Sequence, residues 1–479
     1  MVNQQTTRQA NGNGAQLGPM LAGWSDAPHG TLAQRLAHAV RGAVHSGLLA
    51  NGSRLPAERT LASMLAVSRS TVTTALSELR ADGTVTSRQG SGTTVRNVYA
   101  RAIAGSRIAE HFSSTPGIDL AAGNPPDASH LPAVHIDVAT LLAGGGGPGV
   151  QPLGLPALRA ALASRHSEHG RLTDTSQIHV TAGAHQAVAL VVGALHTIGA
   201  PVAVEATSYP GIFDIIDTIG ARPVPIGVDS AGLLADDLDR LLTEHRPPVL
   251  YVQSGPHNPT GRIPAPGRLR ALAEVLDRHE TTVVEDGALA DLAFAGRVRP
   301  ELADLCRRAV VVSVGSLSKV AWGGLRIGWL RAPAPLVERT MHLRLGNDLG
   351  AAAPSQLLAL QLLPHLDDLA EQRRTTLSAT VERALDLLRA DLPEWQVSEP
   401  AGGSVLWARL PIADTAAFAL FAGRHGVHVA PGSIATATRA PNPHLRICVD
   451  RPWGTVHEGI RRLRLAWSEF ATKPAAILG

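Results

Sequence analysis

The chain has 479 residues, of which 44% are hydrophobic and 17% charged, which is typical of a globular protein of about three domains. No apolar run reaches the roughly 18 residues of a membrane span, and the amino terminus lacks the pattern of a secretory signal, so we expect a cytoplasmic protein without a membrane partner. The two cysteines, Cys306 and Cys448, are far apart in apolar contexts, which argues against a disulfide framework.

Positive charge is concentrated at the amino-terminal end. Residues 1–96 contain nine arginines and four acidic residues, a net charge of +5, whereas the whole chain carries +3. A basic segment on a mildly acidic body predicts a module that binds a polyanion, joined to a domain with another task.

The first segments differ sharply in their patterning. Residues 1–28 have few large apolar residues and no periodicity, so we predict a disordered tail. Residues 29–96 are predicted to form one compact domain. Apolar residues recur at helical spacing over 31–46, Pro56 opens a second helix, and Ser68 is a suitable N-cap for a third helix over 69–81. Two short strands joined by a glycine-rich turn follow, which predicts a winged helix-turn-helix.

Three motifs in this domain resemble the GntR family of winged-helix regulators. They are Leu55–Arg59, Val67–Val72 and Ser87–Gly92, and they occur in the family's order. The resemblance implies a domain that binds double-stranded DNA through the amino-terminal end of its third helix and through its wing. The implied DNA-binding residues are Arg59, Ser68, Arg69, Ser70 and Thr71, with Gln89 and Gly90 in the minor groove. Thr73 departs from the arginine that many relatives carry, which leaves base preference open at that position.

The remaining chain alternates between strands and helices. Residues 97–117 are small, polar or proline-containing and predict an interdomain linker. Within 118–479, apolar runs at 201–206, 248–253, 281–286 and 309–315 are separated by segments of helical length. This pattern predicts an α/β domain with a mostly parallel central sheet covered by helices.

The stretch from Ser316 to Lys319 is the most informative part of this second domain. It follows an apolar strand, and Arg326 comes seven residues after Lys319 in a glycine-rich turn. Lysine occurs only here and at Lys473, although the chain has 43 lysines and arginines together. Because arginine cannot form a Schiff base and lysine can, the retention of Lys319 at a strand end predicts that its primary amine is needed.

Further motifs follow other predicted strands in an order that resembles the aminotransferase superfamily that binds pyridoxal 5′-phosphate. They are Thr181–Gln186, Glu205–Gly211, Pro256–Gly261, Val284–Asp286 and His444–Ile447. Together with the GntR-like domain, they make the chain similar to the MocR subgroup of bacterial regulators.

The resemblance implies a role for each matched residue. Lys319, as the catalytic residue, would carry the cofactor, Asp286 would pair with its pyridine nitrogen, and Asn258 would donate to its phenolate oxygen. Arg326, Ser316 and the backbone amides of Ala184 and His185 would hold the phosphate. Tyr209 would lie against the ring or contact the substrate, and Arg446 would bind an amino-acid carboxylate. Outside this constellation, a strand-end cap for Asp286 and a structural ion pair for Arg446 would be the favoured interpretations.

Two departures from the relatives favour sensing over efficient catalysis. Ala288 replaces a tyrosine that donates to the phenolate oxygen, and Ala184 replaces a hydroxyl residue of the phosphate loop. We therefore expect a homodimeric transcription regulator that responds to pyridoxal phosphate or to an amino compound. The alternatives are a working aminotransferase with an accessory DNA-binding module, and a DNA-binding protein with a cofactor-free scaffold domain.

Overall fold

The computed structural model describes most of the chain and divides it into two compact units, Met1–Ser106 and Arg107–Gly479. The described residues are 24–26, 31–45, 53–81, 84–88, 92–95, 106–109, 116–136, 139, 142–143, 149–197, 200–296 and 301–472. Most of the predicted tail and linker lies outside these ranges, as do Gln89 and Gly90 of the predicted wing.

Where the first unit is described, it has three helices and a two-stranded antiparallel sheet. The elements are α1 (Leu32–His45), α2 (Glu58–Met64), α3 (Arg69–Ala81), β1 (Val85–Arg88) and β2 (Gly92–Val95). Leu36, Val72 and Leu79 are buried together with Val85 and Val95 of the strands. Burial of these side chains fixes the strand pair against the helices, and the predicted winged helix-turn-helix is confirmed. A short 3-10 turn, Trp24–Asp26, adds its half-buried indole to the same core.

The second unit contains the remaining strands. They are β3 (Ile118–Asp119), β4 (Ile178–Thr181), β5 (Pro201–Glu205), β6 (Arg222–Ile226), β7 (Val228–Asp229), β8 (Gly232–Leu233), β9 (Val249–Val252), β10 (Thr282–Asp286), β11 (Val311–Ser316), β12 (Gly328–Arg331), β13 (Gln396–Ser398), β14 (Val405–Arg409), β15 (Val427–His428), β16 (Ala430–Pro431) and β17 (His444–Cys448).

Its helices cover the sheets. They are α4 (Pro156–Glu168), α5 (Ala184–Leu195), α6 (Pro210–Thr218), α7 (Ala235–His245), α8 (Pro266–His279), α9 (Leu302–Leu305), α10 (Ala334–Leu345), α11 (Ala353–Leu362), α12 (Leu366–Asp391), α13 (Ala416–Arg424) and α14 (Trp453–Thr472). Among the described residues, every helix is too short or too polar to cross a lipid bilayer.

The central sheet has seven strands in the order β4-β12-β11-β10-β9-β5-β6. Only β12 runs antiparallel to its neighbours, β11 and β4, so the predicted mostly parallel sheet is confirmed. The strands are rich in buried valine and leucine because apolar helices pack on both faces, as for α5 and α6 on one side. The carboxyl ends of β10 and β11 and the amino end of β12 meet at one edge of the sheet.

A smaller antiparallel sheet, β13-β14-β17-β16, packs against α12, α13 and α14. Near the start of the second unit, β3 pairs with β15, and the chain then passes through residues 120–124. Arg451 fixes this passage, because its guanidinium donates to the carbonyls of Asp119, Ala122 and Asn124 at 2.8–3.0 Å. The segment is thereby held next to the edge where β11 ends.

Candidate functional site

Lys319 lies in the turn three residues beyond β11. Its amine donates to the carbonyl oxygen of Gly123 at 2.7 Å and to Oδ1 of Asn124 at 2.6 Å. Burial, together with the positive charge of Arg446, lowers the pKa of the Lys319 amine to about 8. A sizeable fraction of the amine is therefore unprotonated near neutral pH, which is the nucleophilic form.

Asp286 is the last residue of β10 and stands beside Val314 of β11. Its Oδ2 accepts a hydrogen bond of 2.7 Å from the Tyr251 hydroxyl, and its Oδ1 accepts one of 2.9 Å from the backbone N–H of Ala288. Burial raises the pKa of the carboxyl, while these two donors and the nearby charge of Lys319 lower it. The arrangement can hold a carboxylate opposite a cationic atom of a ligand.

Arg446 is a buried arginine on β17. Its Nε donates to Oδ1 of Asn258 at 3.0 Å, and its Nη1 donates to the carbonyl of Ala121 at 2.5 Å. Asn258 is itself fixed by Gln253, which bonds both the backbone N–H and the carbonyl of Asn258 at 3.0 and 3.1 Å. A Cβ at Gly123 would lie 2.6 Å from Nη2 of Arg446, so a side chain at this position would displace the guanidinium.

A glycine-lined loop joins β4 to α5. Ala184 and His185 are the first residues of α5, where backbone N–H groups have no carbonyl partner within the helix. Gly183 has a φ of 90°, and the exposed Arg326 donates to the carbonyl of Ala182. A Cβ at Gly328 would lie 2.6 Å from the backbone nitrogen of Ala184, so β12 approaches the loop as closely as a backbone can. Free amides beside a guanidinium form an anion site.

Ser316 lies at the end of β11 in register with Gly328 of β12, which is in register with Thr181 of β4. The buried Ser316 hydroxyl accepts a hydrogen bond of 3.1 Å from the backbone N–H of Ser318. The three strand ends therefore bring Ser316 to the same edge as the anion loop.

Tyr209 precedes α6 and lies beside the start of α5. Its hydroxyl is 3.4 Å from Nδ1 of His185, and the two rings meet edge to face with centroids 6.2 Å apart. Burial raises the pKa of Tyr209 and lowers that of His185, so both side chains are uncharged near neutral pH. They form a neutral wall suited to a flat ligand.

Three residues of this site were not predicted from the sequence: Tyr251, Gly123 and Asn124. Tyr251 lies within an apolar run, and that run indicated a buried strand and nothing more. Its spacing of two residues from Gln253 was the available signal, because residues two apart on a strand lie on the same face. Gly123 and Asn124 contact Lys319 across almost two hundred positions of sequence. Local spacing carries no signal for such a contact.

The candidate DNA interface lies at the start of α3. Ser68 caps this helix, because its hydroxyl accepts the backbone N–H of Thr71 at 3.1 Å and lies 2.8 Å from the hydroxyls of both Ser70 and Thr71. Arg69 is 73% exposed, with its Nε 4.0 Å from the Glu58 carboxylate. Arg59 is exposed on α2. This surface presents positive charge and hydroxyls together.

Glu58 also ties α2 to α3. It accepts a hydrogen bond of 2.9 Å from the hydroxyl of Thr73 and lies 3.8 Å from Arg80. Thr73, which departs from relatives' arginine, thus contributes to this brace. Within the described ranges, no three His, Cys, Asp or Glu side chains form a group that could hold a metal ion.

The sheet, the anion loop, the half-buried lysine and aspartate and the buried arginine define an α/β domain of the aminotransferase type. The chain belongs to the family of class I and II aminotransferases, whose family model matches residues 115–463. Residues 32–95 match the bacterial regulatory proteins of the gntR family. The fusion is of the MocR type.

Relatives of both kinds support this assignment. The chain is 27% identical to the uncharacterised HTH-type transcriptional regulator YdfD of Bacillus subtilis, over 79% of this chain and 84% of that protein. It is 31% identical to the 2-aminoadipate transaminase of Thermus thermophilus, over 60% of this chain and 74% of that protein. The solved structure of LysN, the α-aminoadipate aminotransferase of Thermus thermophilus, matches with a TM-score of 0.69 at 24% identity, over 78% of this chain and 97% of that one.

Pyridoxal 5′-phosphate is the cofactor of this fold, and the site residues fit it. The cofactor needs a nucleophilic amine, a carboxylate for its ring nitrogen and an anion site for its phosphate. Lys319 has a lowered pKa, Asp286 is held by two donors, and Gly328 leaves room for the backbone amide of Ala184 at the start of α5. All three lie at one edge of the central sheet.

Proposed function

We propose that this protein is a transcription regulator whose amino-terminal unit binds operator DNA and whose aminotransferase unit binds pyridoxal 5′-phosphate as a sensor. The observation that carries the proposal is the presence in one chain of two sites. One is the exposed, Ser68-capped start of α3 with Arg69, and the other is the group formed by the half-buried Lys319 and Asp286 with the buried Arg446.

In the proposed cofactor site, Lys319 provides the amine to which the cofactor is attached and Asp286 faces its ring nitrogen. Asn258 donates a hydrogen bond to the cofactor's phenolate oxygen, and Tyr209 lies against the ring. Ser316, Arg326 and the amides of Ala184 and His185 hold the phosphate. When bound, the cofactor supplies a reactive carbonyl carbon and a ring that withdraws electrons from it.

The effector is proposed to be the cofactor itself or an amino compound that reacts with it. For an amino acid, Arg446 is the proposed carboxylate ligand, since a guanidinium matches a carboxylate through two parallel hydrogen bonds. Arg446 presently bonds a neutral amide oxygen and a backbone carbonyl rather than an acidic side chain. Its charge is therefore available to an anionic effector.

Sensing is favoured over turnover by Ala288. The backbone N–H of Ala288 donates to Asp286, but the alanine side chain provides no phenol for the cofactor's phenolate oxygen. Weaker control of the cofactor's electronics slows proton transfer more than it weakens binding. The rival function, a working transaminase, is supported by the complete set of Lys319, Asp286 and Arg446.

We further propose a homodimer, in which two winged helices read two half-sites of an operator. The two half-sites are expected to be direct or inverted repeats.

Two assays on one preparation test the proposal. Product formation from a panel of amino acids is measured with a keto-acid acceptor, and binding to the promoter region beside the protein's own gene is measured with and without pyridoxal phosphate and amines. We expect turnover orders of magnitude below the roughly 10 per second typical of enzymes, and a ligand-dependent operator affinity. Ordinary turnover with ligand-insensitive DNA binding would instead establish the transaminase.

A further inference from the structure

Tyr251 is a buried phenol whose only role visible from the sequence is to fill a strand. It lies in β9, which runs parallel to β10, and its backbone is in register with Val284, two residues before Asp286. Its side chain is fully buried, and its hydroxyl reaches forward to the carboxylate of Asp286 at 2.7 Å. Burying a phenol without a hydrogen-bond partner is costly, and Asp286 supplies the partner that this hydroxyl needs.

The bond has a fixed direction. Burial raises the pKa of Tyr251 well above its ordinary value, and the neighbouring Asp286 charge raises it further, so the phenol keeps its proton and donates it. The backbone N–H of Ala288 occupies the other carboxylate oxygen of Asp286 at 2.9 Å. Asp286 is thus held by one donor on each oxygen, which fixes its rotamer and opposes the rise in its pKa that burial causes.

We propose that Tyr251 is a positioning residue that acts through Asp286, keeping that carboxylate ionised and oriented so that it can hold a proton on the pyridine nitrogen of the bound cofactor. The inference rests on the proposed cofactor site. It assigns control of the cofactor's electronics to a phenol in the strand next to that of Asp286. This control matters here because residue 288, where relatives have a tyrosine, is alanine.

The physical consequence is a shift in where a proton resides. Without the phenolic donor, the proton affinity of Asp286 rises and the proton shared with the ring nitrogen moves towards the carboxylate. A ring with less positive charge withdraws less electron density from the carbon that Lys319 attacks. The absorbance band of the bound cofactor should therefore titrate at a higher pH.

The test is Tyr251→Phe, which removes one oxygen and keeps the ring that fills the core. We expect the pH midpoint of the cofactor's visible band to rise by about one unit and cofactor affinity to fall by roughly tenfold, as for loss of one hydrogen bond to a charged group. Thr340→Val is the matched control, since it removes a buried hydroxyl that bonds His179 at 2.9 Å and the Val337 carbonyl at 2.8 Å rather than Asp286.

The outcomes are distinguishable. If Tyr251→Phe unfolds at lower urea concentration but titrates like the wild type, its role is structural and the inference is wrong. The same conclusion follows if Thr340→Val shifts the midpoint equally. If the wild-type protein itself develops no cofactor band, the proposed function fails first, independently of Tyr251.

Discussion

A single amine limits the chemistry of the aminotransferase unit. Because the pKa of Lys319 is lowered to about 8, the nucleophilic free amine becomes the major form only as pH rises through that value. We predict that covalent attachment of pyridoxal phosphate accelerates with pH and levels off above about 8, and that Lys319→Ala abolishes it. Stopped-flow absorbance gives the rate, and borohydride fixation followed by peptide mapping gives the position. Since Lys473 is the chain's only other lysine, label found there would refute the assignment.

The second prediction about individual side chains concerns operator binding by two exposed arginines. Arg59→Ala and Arg69→Ala should each weaken operator binding by about tenfold and lower the slope of log affinity against log salt by about one per lost phosphate contact. Fluorescence anisotropy at several salt concentrations measures both quantities. Arg389→Ala is the control, because that arginine is 59% exposed in the other unit. Unchanged operator affinity in both Arg59→Ala and Arg69→Ala would refute the DNA interface, while the cofactor spectrum should stay intact in both.

Strands and helices were predictable where their signals are local. The runs at 201–206, 248–253, 281–286 and 309–315 became strands with bounds that differ by at most two residues, because apolar side chains in a doubly covered sheet need no alternation. The start of α3 at Arg69 followed from a capping serine. The Tyr251 contact was not predictable, since it depends on which strands become neighbours and on their register.

The contact between β12 and the anion loop supports a prediction about whole elements. A Cβ at Gly328 would lie 2.5–2.6 Å from backbone atoms of Gly183 and Ala184, which cannot rotate away as a side chain could. Gly328→Ala should therefore push the loop from β12, destabilise the protein by about 1–3 kcal/mol and weaken cofactor binding by at least about tenfold. Urea unfolding and cofactor titration measure these effects.

Gly267→Ala provides the matched control for that experiment. Gly267 lies in the first turn of α8, is exposed, and a Cβ there would meet nothing within 4 Å. We expect it to be neutral or to stabilise the helix by up to about 1 kcal/mol, with unchanged cofactor affinity. Equal behaviour of the two variants would show that the loop accommodates a side chain at Gly328.

Two described parts of the chain at the start of the aminotransferase unit are held by hydrogen bonds, and the second of them contacts the candidate cofactor site. At the unit's first described residues, the backbone N–H groups of Arg107 and Ile108 donate to the Asp214 carboxylate on α6, at 2.9 and 3.0 Å. Further along, Gly123 and Asn124 accept hydrogen bonds from Lys319. We infer that a ligand bound at Lys319 would change the contacts of Gly123 and Asn124, which precede the rest of this unit in the chain.

Arg107 is the residue that fastens the first of these two parts. Its guanidinium lies 4.4 Å from the centre of the Phe213 ring and donates to the carbonyls of Ile434, Thr436 and Ala437, so it joins α6 to the loop that follows β16. Both contact regions adjoin Tyr209, because the backbone N–H of Ser208 donates to the carbonyl of Ala435 at 2.9 Å. A displacement of α6 or of the loop after β16 would therefore change the contacts of Arg107.

We predict that Arg107→Ala keeps cofactor binding and operator binding but reduces the effect of one on the other. A ligand changes DNA affinity only through different affinities for two states, and coupling of this kind typically amounts to about 5–150-fold. The ratio of operator dissociation constants with and without pyridoxal phosphate should approach one in Arg107→Ala, and Arg389→Ala should retain the wild-type ratio. Anisotropy titrations on protein with verified cofactor content measure it. A wild-type ratio in Arg107→Ala would mean that the signal reaches the DNA-binding unit by another route, since the loss of this anchor leaves the contacts of Gly123 and Asn124 in place.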